Sequence, residues 1–142
     1  MIEDLDLEPA PEEFRLLFKG QALGHLDEIV LSWRMAGHPI SWGQSLAKFE
    51  VNSKDGLLLL FQVCAPEQGI PAGLEFDPGR AIDIGMPSDF ANRILDELVK
   101  VGNIEATEGV PIRVPLGKFS RGDRKVFLAY TLTIARLLAC GL

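Results

Sequence analysis

The sequence predicts an α+β domain: a single domain built on a mostly antiparallel, curved sheet of about five to seven strands, with two or three helices packed mainly on one side. Three observations point to it. Residues 46–64 carry a strand–turn–strand signature, and residues 89–101 carry an apolar stripe of helical period. The chain has 142 residues, 47% of them hydrophobic, which suits one domain around one core.

Residues 1–10 read as an acidic, flexible leader, and residues 11–142 as the single domain. Pro11 suits a first helical position, followed by Glu12 and Glu13, where carboxylates favour the positive end of a helix. Gly20 and Gly24 argue against a long helix, since each costs about 1 kcal/mol relative to alanine. Residues 25–36 fit two periods: Leu26, Ile29, Val30 and Trp33 suit a helix, while Ile29, Leu31, Trp33 and Met35 suit a strand. Asp27 and Glu28, as first-turn acids, tilt the reading toward helix. Pro39 ends the element either way, because it disfavours helical backbone at His38.

The hairpin follows. Residues 46–51 alternate, 52–56 (Asn-Ser-Lys-Asp-Gly) have turn chemistry, and 57–64 form a strong strand. In regular pleating Leu57, Leu59, Phe61 and Val63 share one face and Leu58, Leu60 and Cys64 the other. A strand apolar on both faces calls for cover on both. Residues 74–76 and 81–84 then flank Asp77-Pro78-Gly79-Arg80, whose Pro and Gly match a type II turn, so a short hairpin is expected there.

Ser88 is the expected N-cap of the next helix, whose stripe is Phe90, Ile94, Leu95, Leu98 and Val101. Asp89–Arg93 and Asp96–Lys100 are spaced for ion pairs along it, and Gly102-Asn103 suits a left-handed exit. Residues 104–108 and 110–116 read as short strands, the second confined to an edge by Pro111 and Pro115. After a polar loop at 117–124, residues 125–136 alternate, with Val126, Leu128, Tyr130, Leu132 and Ile134 on one face, and read as a last strand.

Motifs for chemistry are sparse. His25 and His38 lie thirteen apart and Cys64 and Cys140 seventy-six apart, so no zinc-type spacing exists, and no metal or cofactor is expected. There is no nucleophile elbow and no phosphate-binding glycine loop. No signal peptide or membrane-length apolar run is visible, so a cytoplasmic protein with two reduced, buried thiols is expected.

Charge is the most specific feature. The net charge is −6, and residues 1–13 hold six acids and no base. Residues 14–142 hold fourteen of each sign, and residues 110–142 hold six bases against the single acid Asp123. Overall acidity makes a nucleic-acid binder a poor reading. The basic stretch nominates Arg113, Lys118, Ser120, Arg121, Arg124 and Lys125 as contacts for a small anion or an acidic partner. A second nomination is a pocket lined by Trp33, His38, Trp42, Phe61 and Tyr130.

Together these favour a small non-enzymatic binding protein, chaperone-, inhibitor- or immunity-like, acting through a protein partner or as a homodimer. The alternative is a small-molecule module or modest enzyme using the aromatic pocket. The element order and acidity resemble those of secretion chaperones that bind unfolded effector segments, with no motif behind the likeness.

Overall fold

Five antiparallel strands form one open sheet in the order β1-β2-β3-β4-β5, in a computed structural model that describes residues 10–105 and 110–141. The strands are β1 (Ile40–Trp42), β2 (Leu46–Ser53), β3 (Gly56–Cys64), β4 (Gly73–Phe76) and β5 (Ile112–Pro115). The helices are α1 (Glu12–Arg15), α2 (Gly20–Met35), α3 (Pro78–Asp83), α4 (Ser88–Gly102) and α5 (Arg121–Ala139), with a 3₁₀ turn at Leu116–Lys118. The α+β class is therefore as the sequence predicts. The leader lies almost wholly outside the described residues.

The hairpin at 46–64 forms as β2–β3, but not with regular pleating. Phe49 pairs with Phe61 and Glu50 with Leu59, leaving Leu60 as an extra residue on β3. A bulge of this kind shifts the alternation by one. Phe61, Val63 and Leu60 are all buried, while Leu57 is 52% exposed. The expected membership of the two faces is thus corrected: the bulge turns Leu58 and Leu60 to the core side with Phe61 and Val63, and leaves Leu57, Leu59 and Cys64 on the other. The opposite, open face carries Lys48, Gln62, Glu75 and Arg113, while α2, α5 and α4 contact the core face.

One core holds the molecule. Phe49 and Phe61 stack with centroids 4.6 Å apart, Trp33 of α2 meets Phe61 edge-on at 5.2 Å, and Phe127 of α5 does so at 4.9 Å. Trp33 also donates from Nε1 to the carbonyls of Pro39 and Glu50, both at 3.1 Å, so its one polar atom is satisfied. Val114 of β5 lies on this same face, against Gly102 of α4. Helices α2, α4 and α5 therefore share one side of the sheet.

Four expectations are corrected. First, α2 runs sixteen residues despite Gly20 and Gly24, because Leu26, Ile29, Val30 and Trp33 are all buried along it. The burial of four such side chains outweighs the glycine cost. Second, the 74–84 hairpin does not form. Asp77 caps α3, its Oδ1 accepting from the Arg80 N–H at 3.1 Å, and Pro78 opens the helix. Third, Ser88 begins α4 rather than capping it, Pro87 holding that place, and Lys100 pairs with Glu97 at 3.7 Å. Asn103 does supply the left-handed exit, with φ 52°.

The fourth correction is the largest. Residues 125–136 are not a strand but the middle of the nineteen-residue α5. Its buried residues, Phe127, Leu128, Thr131, Ile134, Ala135 and Leu138, follow the 3.6-residue period. Ser120 Oγ accepts from the Asp123 N–H at 2.9 Å, and the Asp123 carboxylate accepts from the Ser120 N–H at 3.0 Å. This reciprocal cap starts the helix. The expected 104–108 strand falls largely on residues outside the description, and Ile104 and Glu105 are in no strand. β5 is an edge strand, as expected.

Candidate functional site

The basic stretch is divided by the fold. Arg113 sits on β5 and faces the open side of the sheet. There it pairs with Glu75 at 3.3 Å and donates to the Pro71 carbonyl at 2.8 Å, and Gln62 Nε2 donates to the same carboxylate at 2.7 Å. The arginine stem lies flat over Gly73, where a Cβ would come 2.7 Å from Arg113 Nε. The other five residues lie around the start of α5. Ser120 is committed to its cap, Lys118, Arg121 and Lys125 are exposed, and Arg124 is buried. Arg124 Nη1 donates to His25 Nδ1 at 3.0 Å, and His25 Nε2 lies 2.7 Å from the Phe119 carbonyl. Since arginine only donates, the ring proton belongs on Nε2, which donates to that carbonyl.

The aromatic set does not gather round one cavity. Trp33 and Phe61 are core residues, 0% and 1% exposed. Trp42 packs on Phe14 of α1 at 5.2 Å, and Tyr130 meets Phe90 of α4 at 5.9 Å. His38 is half-buried 5.1 Å from Trp33, and burial lowers its pKa. Cys64 is half-buried on the open face and Cys140 exposed, so neither matches the expected buried thiol. Burial, and after it the charge of Glu75, raises the Cys64 thiol to about 11. Among the described residues no cluster of three metal-ligating side chains occurs, and no helix is long and apolar enough to cross a membrane.

Sequence reasoning missed one feature, a notch in the sheet. β3 has nine residues and β4 four, and only Gln62, Val63 and Cys64 of β3 pair with β4. Residues 57–61 have β2 on one side and, among the described residues, no strand on the other. The cause is local: Asp77 and Pro78 divert the chain into α3 at once after Phe76. A cleft of about 140 Å³ marks the place, lined by Leu59, Phe61, Phe76, Asp77, Arg80 and Pro111. Such an edge presents free backbone N–H and C=O groups at alternate residues, flanked by leucines. The available signal was the Asp-Pro-Gly sequence at 77–79, which caps a helix as readily as it makes a turn.

No protein-family model, curated protein or solved structure matches the chain.

Proposed function

We propose that this is a small non-enzymatic binding protein that takes an extended segment of a partner protein as an added strand beside residues 57–61. The notch supports the reading. Backbone groups along an edge with no paired strand among the described residues can bond to an extended chain, and five residues of edge suffice for strand addition. Leu57 and Leu59 on the open face favour apolar side chains on the incoming strand, while Asp77 and Arg80 at the cleft set its polar end. The free thiols suit a reducing, cytoplasmic setting.

The test is amide exchange at residues 57–61, with and without a seven-residue synthetic peptide alternating valine and threonine. Outward-facing amides should exchange rapidly in the free chain and become protected on peptide binding. Leu59→Lys should weaken binding about tenfold or more, since an edge charge opposes pairing. Amides already protected in a free monomer would overturn the reading. So would a homodimer by light scattering that occupies the same edge, or peptide protection confined to the helical layer.

A further inference from the structure

We infer that the cleft between the start of α5 and the first turns of α2 binds a small oxyanion, phosphate or a phosphomonoester group, through Arg124, Arg121 and the free N–H groups of α5. The cleft, of about 430 Å³, is lined by Gln21, Gly24, Glu28, Ser120, Arg121 and Arg124, among others. It lies away from the notch, so the two readings stand or fall separately.

The buried arginine carries the argument. Arg124 is only 9% exposed, and its one side-chain hydrogen bond among the described residues is to His25 Nδ1, an uncharged acceptor. No carboxylate of those residues lies within 4.0 Å of it. A buried charge ordinarily has a counter-charge, because removing an ion from water is costly. The guanidinium has five N–H donors, and one is used here. His25, fixed by the Phe119 carbonyl, holds that edge of the guanidinium in place while the side chain lines the cleft.

Two independent features fit the same ligand. Arg121 and Gly122 begin the first turn of a nineteen-residue helix, so their N–H groups lack intrahelical acceptors and lie at the positive end of its dipole. Gly24 is the second. A Cβ there would meet nothing within 4 Å, so packing does not require glycine inside α2. A larger side chain would instead occupy the cleft. Donors arriving from two guanidinium groups and a helix end do not share a plane, which suits a tetrahedral phosphoryl group better than a flat carboxylate. Glu28 is the opposing charge on the wall, and Asp123 is tied to the Ser120 N–H.

The experiment titrates inorganic phosphate into the isotope-labelled full chain and follows backbone and His25 resonances, with sodium chloride at matched ionic strength as control. Saturable shifts centred on His25, Gly122 and Arg124 are expected with phosphate and not with chloride. Arg124 is buried and its replacement endangers the fold, so two exposed positions carry the test. Arg121→Ala should weaken phosphate binding about tenfold. Gly24→Leu should abolish it without lowering the melting temperature in chloride, and Glu28→Gln should tighten it. Linear, non-saturating shifts, equal shifts in chloride, or an affinity unchanged by both Arg121→Ala and Gly24→Leu would overturn the inference.

Discussion

Replacing Phe61 with alanine separates a core role for this side chain from a pocket role. Phe61 is 1% exposed and touches three aromatic rings: Phe49 in a stack at 4.6 Å, Phe127 at 4.9 Å and Trp33 at 5.2 Å. Phe→Ala at such sites costs about 3–5 kcal/mol, the cost growing where surroundings cannot collapse into the cavity. Here β2 holds Phe61 from one side, and α2 and α5 press on its ring from the core, so little collapse is available. We expect about 4 kcal/mol. For a domain of this length that lowers the melting temperature by roughly 10–16 °C. Urea titration followed by the fluorescence of buried Trp33 measures it directly. Phe61→Leu, which retains most of the apolar bulk, should cost about 1–2 kcal/mol, near the value of the lost ring–ring contacts. A loss below about 1.5 kcal/mol for the alanine variant, with the denaturant slope unchanged, would refute the packed-core account.

Three further outcomes follow from other parts of the fold. Ser120→Ala removes half of the reciprocal cap of α5 and should cost about 1 kcal/mol in urea titration; no loss would mean the cap contributes nothing. His38 binds its proton less readily folded than unfolded, because burial lowers its pKa. Its contribution is therefore complete above the ordinary histidine range and lost as pH falls below it, so wild-type stability should fall more steeply than that of His38→Gln between about pH 7 and 5; parallel curves would refute this. Cys64, raised to about 11 from 9.0, should react with a disulfide reagent at pH 8 at least about tenfold more slowly in the folded chain than in urea, the smaller thiolate fraction outweighing its greater nucleophilicity. Glu75→Gln should speed that reaction, and equal rates folded and in urea would contradict the partial burial of the thiol beside Glu75.

The features legible in the sequence were local. The turn at 52–56, the stripe of α4 and the left-handed Asn103 depend on residues a few positions apart, and each appears where the pattern puts it. The misread segments show the limit of that reasoning. Residues 125–136 satisfy a period of two as well as a period of 3.6, and the Ser120–Asp123 cap that decides between them lies just outside the alternating run. Asp77-Pro78-Gly79 likewise serves a turn or a helix start, and the outcome rests on what Ala81 can bury.

The candidate sites were less legible than the elements. The basic stretch named Arg121 and Arg124 but not His25, Gly24 or Gln21, which come from α2 about one hundred residues earlier. The notch had only an ambiguous signature, Asp77-Pro78-Gly79, because it is a mismatch in length between two neighbouring strands.

By itself the sequence determined the class of fold, the central hairpin and the charge asymmetry, because composition, turn chemistry and side-chain period act over short distances. Tertiary structure alone decided that Phe61 and Trp33 belong to the core, that Arg124 is buried against a neutral histidine, and that residues 57–61 of β3 have, among the described residues, a strand on one side only. Those outcomes depend on which segments meet, and desolvation and strand pairing take effect only when they do.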